Sequence, residues 1–276
     1  MPRRLLTRAL VAATLASGAL AGAATAAATA AATSGARCST TLSTSLATFA
    51  REHRAITFAV AVRDLTAGTT YGYRRHAQQR TASIVKVEIL ETLLHKYPHG
   101  LPSGLLAVAT GMIERSDNGD AEQLYQQVGR AAGLRQFGRV AGLRETAPAA
   151  ATGPGYAWGL TLTTPYDQLR LLELLTHRNA LLTDADRQFA LRLMEHVETD
   201  QRWGVTSGTG NSRVALKNGW LPLHNWTSDW QINSIGAVQG RGGNYLIAVE
   251  THGAARMSQG VATVEQVSRL VARACG

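Results

Sequence analysis

Two runs near the start of the chain read as strands: Ile56 to Arg63 and Thr69 to Arg74 are extended and rich in β-branched and aromatic residues. Asp64-Leu65-Thr66-Ala67-Gly68 between them predicts a hairpin turn. From Ser83 the period becomes helical, with Ile84, Val87, Leu90 and Leu94 recurring every three or four residues before Pro98. Helical patterns then fill the middle of the chain: Leu105 to Arg115, Ala121 to Ala131, Leu134 to Ala141, Pro165 to His177 and Asp184 to Glu198. Thr164 before Pro165, and Thr183 with Asp186, have the chemistry of helix starts. Alternation returns in Arg213 to Asn218, Asp229 to Gln239 and Asn244 to His252, the last two joined by the turn Gly240-Arg241-Gly242-Gly243. Val261, Val264, Leu270 and Val271 mark one face of a final helix. Strands at both ends around a helical middle predict an α/β (α+β) fold, an antiparallel sheet flanked by helices beside an all-helical lobe, with the last helix packed on the sheet.

Two segments stand outside this pattern. Arg3, Arg4 and Arg8 precede an apolar stretch from about Leu10 to Ala21 and an Ala/Thr-rich tract with A-x-A sites, the layout of a secretory signal peptide. Thr14, Ser17 and Gly18 interrupt that stretch, which is shorter than the roughly 20 residues a bilayer-spanning helix needs. Cleavage is expected between Ala24 and Ala36, dividing the chain into a signal segment, 1–32, and a single domain, 33–276. The mature protein is then expected to be secreted, with no stable membrane insertion. The second segment, Ala147 to Leu162, is rich in Ala, Gly and Pro with Tyr156 and Trp158 embedded, long enough for a functional loop.

Charge and cysteine content add two constraints. The formal charge of +9 falls to about +6 without Arg3, Arg4 and Arg8. The arginines are scattered, with no aromatic-interleaved basic stripe, so nucleic acid is not an expected partner, and the protein is read as a monomer. Cys38 and Cys275 are the only cysteines, and in an exported chain they predict a disulfide joining the two ends. A lipid-modified Cys38 is the competing reading; Arg37 before it is unlike the small residue that lipoprotein processing prefers.

The candidate chemistry emerges from lysine usage. The chain has 25 arginines and three lysines, Lys86, Lys96 and Lys217. Arginine cannot be deprotonated in a protein, whereas a buried lysine gives up its proton readily. Lys86 lies in Ser83-Ile84-Val85-Lys86 and Lys217 in Lys217-Asn218-Gly219, and a third motif, Ser116-Asp117-Asn118, lies between them. A serine hydroxyl needs a base and an oxyanion pocket to act as a nucleophile. Residues three apart share a helix face, which brings Lys86 towards Ser83, and the start of that helix offers a free N–H. Each motif alone is commonplace; their order and settings together indicate a serine acyl-transfer enzyme.

This arrangement resembles the class A β-lactamase and penicillin-binding protein superfamily over nearly all of the mature chain, and in particular secreted actinobacterial β-lactamase-related serine hydrolases. The resemblance implies that Ser83 is the acylated nucleophile, Lys86 its proton acceptor and Ser116 the relay to the leaving nitrogen. It further implies that Asn118 holds the substrate amide and that Lys217 sets the electrostatics for an anionic carboxylate. The N–H of Trp220, after Gly219, would complete the oxyanion hole with that of Ser83. Two departures stand out. Class A enzymes carry E-x-x-x-N in the loop before the T-T-P helix start, but Pro148 to Leu162 contains no acidic residue and no asparagine; Glu145 is the only nearby carboxylate. Asn218 replaces the Thr or Ser expected to bond the substrate carboxylate, and bulky Trp220 follows at the pocket rim.

The expected function is a secreted hydrolase forming an acyl-enzyme with β-lactams or related amides. The alternatives are a D,D-peptidase acting on cell-wall peptides, favoured by the missing loop glutamate, and a non-catalytic cell-wall or antibiotic-binding protein. No cofactor or metal is expected: His95 and His99 have helical spacing, but Pro98 intervenes and no carboxylates cluster with them. His224 and His252 lack a nucleophile elbow. Trp203, Trp226 and Trp230 are read as packing residues.

Overall fold

A computed structural model describes residues 42, 44–54, 56–149, 156–224, 228–240 and 243–275. The expected signal segment and Cys38 lie outside these residues. Cys275 ends the last helix.

Five antiparallel strands form the central sheet, in the order β2-β1-β7-β6-β5. They are β1 (Thr57–Asp64), β2 (Thr70–Tyr73), β5 (Arg213–His224), β6 (Ser228–Gly240) and β7 (Gly243–Ala254). Alternation along the strands sorts their side chains into two layers. Ala61, Ala215, Ile235, Ala237, Leu246 and Ala248 face a helical core. Phe58, Val60, Leu216, Ile232, Ile247 and Val249 face the opposite layer. That layer is closed by α1 (residues 44–52), through Leu46 and Phe49, and by α8 (Met257–Cys275), through Val264, Val267 and Val271. The final helix packs on the sheet as the sequence predicts.

On the other face, α2 (Val85–Lys96) is the buried axis, with all residues from Val85 to Leu94 buried. Around it lie α3 (Ser103–Glu114), α4 (Asn118–Gln127), α5 (Arg130–Ala141), α6 (Pro165–Thr176) and α7 (Asp184–Glu195). The expected caps are present. Thr164 accepts from the N–H of Asp167, and Thr183 with Asp186 forms a reciprocal capping box.

Several boundaries differ from those expected. Asp117 accepts from Asp120 N and starts α4 three residues early, and Gly129, at φ 91°, separates α4 from α5 where the sequence suggested continuity to Ala131. Strand β5 was expected to end at Asn218 but continues to His224; it is the edge strand, where Pro222 removes no needed donor. A small second sheet, β3 (Gln79–Arg80) with β4 (Leu162–Thr163), was not anticipated. Ala147 and Leu162 exchange both backbone hydrogen bonds, at 2.8 and 3.1 Å, closing the neck of the anticipated loop. Residues 150–155 of that loop lie outside the described residues.

Candidate active site

The three motifs converge where α2, the α3–α4 connection and β5 meet. Ser83 sits in a 3₁₀ turn, Ala82–Ile84, which leads directly into α2 rather than being the first residue of the α-helix. Ala82 has φ 47°, a left-handed conformation uncommon for a residue with a Cβ. Lys86 follows in the first turn of α2, its side chain fully buried.

The Lys86 ammonium donates to Ser116 O at 2.6 Å, Ser116 Oγ at 3.1 Å and Asn118 Oδ1 at 2.8 Å. From β5, Lys217 Nζ donates to the same Ser116 Oγ at 3.0 Å and to Asn218 O at 3.1 Å. Ser116 Oγ therefore bridges two buried amines. Its own φ of 55° holds the α3–α4 connection in a tight turn. Asn118 Oδ1 is occupied by Lys86, which leaves the amide N–H₂ of this exposed residue for another acceptor.

Burial pushes the Lys86 amine down from 10.5 to about 7, against the opposing pull of the Asp117 and Asp120 carboxylates. Lys217 is held well below the usual lysine range, first by burial and then by the charge of Lys86. The Trp158 ring lies 5.0 Å from Lys86 Nζ and favours the charged form. This indole, from the 3₁₀ turn Ala157–Leu160, was not assigned a role from sequence; a lone aromatic in a loop carries no motif. At neutral pH Lys86 is thus able to accept and return a proton.

Gly219 explains the close approach of β5 to the nucleophile turn. A Cβ at this position would lie 2.8 Å from Ser83 N and 2.9 Å from Ile84 N, so only glycine leaves the Ser83 amide room.

Three expectations are corrected here. The hydrogen bonds of Lys86 all go to Ser116 and Asn118; among the described residues none reaches Ser83, three residues earlier in the 3₁₀ turn. Asn218, expected in the substrate site, is buried with its Nδ2 donating to Gln201 O at 2.7 Å and Trp203 O at 3.2 Å. Strand period two places Leu216, Asn218 and Trp220 on the face opposite Lys217 and Gly219. Trp220 accordingly packs against the α1/α8 layer, its ring 6.2 Å from that of Trp203, instead of standing at the pocket rim.

The remaining candidates lie apart from this cluster. Glu145 Oε2 accepts from Thr164 Oγ1 at 3.0 Å and pairs with His76 Nδ1 at 2.9 Å, so its carboxylate is committed away from the lysines. His95 bonds Leu181 O, and His252 bonds Gln79 Oε1. No group of three or more His, Cys, Asp or Glu suited to a metal occurs among the described residues. No helix among them is long and apolar enough to cross a membrane. Trp203 and Trp230 pack partly buried against the α1/α8 layer, and Trp226 lies outside the described residues.

Comparison with known proteins gives a consistent picture. A model of the beta-lactamase enzyme family matches residues 91–275, a span that takes in Ser116 and Lys217 and begins just after Lys86. The Mycobacterium tuberculosis protein named "Putative lipoprotein LppW" is 29% identical over 223 residues, covering 77% of this chain and 68% of that protein. A class A β-lactamase from Bacteroides cellulosilyticus superposes with a TM-score of 0.74 at 17% identity, over 86% of this chain and 98% of that one. The structure of PBP-A superposes with a TM-score of 0.72 at 20% identity, over 84% and 95%. At these identities the two structures establish the fold.

Proposed function

Because this chain belongs to the β-lactamase enzyme family, we propose that it is an acyl-transfer hydrolase that forms an ester on Ser83 with β-lactams or related amides. The observation that carries this reading is the convergence of two buried amines on Ser116 Oγ, beside the glycine-lined turn that presents Ser83.

In the proposed step Ser83 Oγ attacks the substrate carbonyl and its proton passes to neutral Lys86. The Lys86 amine must swing from the Ser116 carbonyl towards Ser83 to accept it, and in the complex such contacts tighten. The Ser83 N–H, with that of Trp220, stabilises the oxyanion. The C–N bond then breaks, the nitrogen takes the hydroxyl proton of Ser116, and Lys86 returns its proton to Ser116 Oγ. Asn118 N–H₂ bonds the substrate amide. Lys217, bridging to Ser116 from the other side, fixes that hydroxyl.

Hydrolysis of the ester requires a base for water. The absence of any acidic residue from Pro148 to Leu162, with Glu145 bound to His76 and Thr164, favours a slow second step. This supports the related reading of a penicillin-binding protein or D,D-peptidase using the same residues. Export of the mature protein is supported by the N-terminal sequence and by the likeness to the mycobacterial protein named "Putative lipoprotein LppW". A Cys38–Cys275 disulfide fits that compartment. In a test with fluorescent penicillin, the parent protein becomes covalently labelled and Ser83→Ala does not; label retained by the variant refutes Ser83 as nucleophile.

A further inference from the structure

The turn that presents Ser83 is held from behind by one side chain. Asn233, in the middle of β6, is fully buried and stands opposite Gly219 of β5 and Glu250 of β7. Its Nδ2 donates to Arg80 O at 2.8 Å and Thr81 O at 2.9 Å. Its Oδ1 accepts from Gln231 Nε2 at 3.0 Å and from Thr251 N at 3.3 Å. Both donors and both lone pairs are used, which fixes the orientation of the amide: reversed, it would set oxygen against two carbonyls. Gln231 is itself buried and donates a second bond, to Thr251 O at 2.7 Å.

The two carbonyls gripped by Asn233 immediately precede Ala82, the residue at φ 47°. A left-handed residue with a Cβ persists only where its surroundings over-determine it. On the other side of the turn, Thr81 N donates to Thr161 O at 2.8 Å. If Ala82 relaxes to the right-handed region, the Ser83 amide, now wedged against Gly219, must rotate.

We propose that Asn233 is a positioning residue for acylation: by gripping the Arg80 and Thr81 carbonyls it holds Ala82 in its left-handed conformation and so aims the Ser83 N–H and Oγ into the cleft. It acts through the backbone of residues 80–82 and does not touch substrate. This rests on the reading of Ser83 as the acylated residue.

The experiment measures acylation by benzylpenicillin, and separately by a fluorophosphonate, in the mature protein and in Asn233→Ala, Ala82→Gly and the double variant. Loss of one oxyanion donor typically costs about 10²–10³ in rate, so Asn233→Ala is expected to slow acylation by about 10²-fold. Non-covalent benzylpenicillin affinity, measured in a Ser83→Ala background, is expected to change by less than about threefold, since the oxyanion donor acts chiefly in the transition state, and the pH midpoint of acylation, set by Lys86, is expected to stay unchanged. Glycine adopts positive φ without strain, so adding Ala82→Gly is expected to restore at least about tenfold of the lost rate. Should Asn233→Ala fail to fold, recovery of folding in the double variant is the same predicted coupling.

Acylation within about threefold of the parent in folded Asn233→Ala, or no recovery of rate or folding on adding Ala82→Gly, overturns the assignment. A parent protein that neither probe modifies at Ser83 overturns the underlying functional reading, and with it the role of Asn233. The two failures are therefore distinguishable.

Discussion

Replacing Lys86 with arginine keeps a cation at the centre of the site and removes the ability to change protonation state, so set beside Lys86→Ala it tests the role proposed for this residue. At pH 7 an amine of pKa 10.5 is neutral in about one molecule in 3,000. With burial pushing Lys86 down to about 7, about half the molecules carry the free base, a gain of about 1,500-fold in available acceptor. The weaker base takes a proton less readily, so the net rate advantage is smaller than this factor. Stopped-flow acylation by a chromogenic cephalosporin between pH 5 and 10 is the assay. The parent rate is expected to rise about tenfold per pH unit at low pH and to level off above about 7. Asp120→Asn removes a carboxylate that favours the charged amine, so it is expected to move the midpoint lower. Lys86→Arg is expected to be as slow as Lys86→Ala, a loss of about 10²–10⁴ as for other general bases. A midpoint near 10, or an arginine variant within tenfold of the parent, refutes Lys86 as the base.

Other perturbations separate chemistry from architecture. Ser116→Ala removes the hydroxyl shared by both amines and is expected to slow acylation by about 10²-fold or more while leaving the melting temperature near that of the parent; calorimetry alongside kinetics checks both. Asn218→Ala leaves Gln201 O and Trp203 O without their donor and is expected to cost about 1–3 kcal/mol in urea unfolding, with little change in acylation per folded molecule; the opposite outcome returns Asn218 to the substrate site. Glu88 on α2 is fully buried, and burial, with the nearby Asp167 charge, raises its carboxyl from 4.5 to about 8. The folded state then binds the extra proton, so stability is lost as pH rises from 4.5 through about 8. Glu88→Gln is expected to abolish this loss, gaining on the order of 5 kcal/mol at most above pH 8 and little near pH 4, as read by denaturation at a series of pH values.

Much of this fold is legible in the chain because its signals are local. Thr164-Pro165 and Thr183 with Asp186 start α6 and α7 where their chemistry predicts, and the apolar face of α8 is plain from Val261 to Val271. The scarcity of lysine draws attention to Lys86 and Lys217, which the structure brings to one hydroxyl. What escaped is set by tertiary contacts or by geometry too short to leave a period. Two-residue strands such as β3 and β4 show no alternation, and the 3₁₀ turn at Ser83 has the spacing of a helix start. Asn218 was assigned by its place in a motif, whereas counting by twos from Leu216 puts it on the far face. Asn233 looks like any polar residue in a strand until the fold carries residues 80 and 81 to it, some 150 positions away in sequence. Glu88 and Glu91 fill a helix buried all round, and only the packing of α2 reveals that these carboxyls are enclosed.

The central claim is that Ser83 becomes an ester, and intact-mass spectrometry of the purified mature protein, sampled from seconds to hours after mixing with benzylpenicillin, tests it most directly. The account predicts an adduct of the full mass of the antibiotic, localised by peptide mapping to Ser83, that persists after free penicillin is removed. An unmodified protein at every time point, with the antibiotic intact, or an adduct that maps to any other residue, contradicts it.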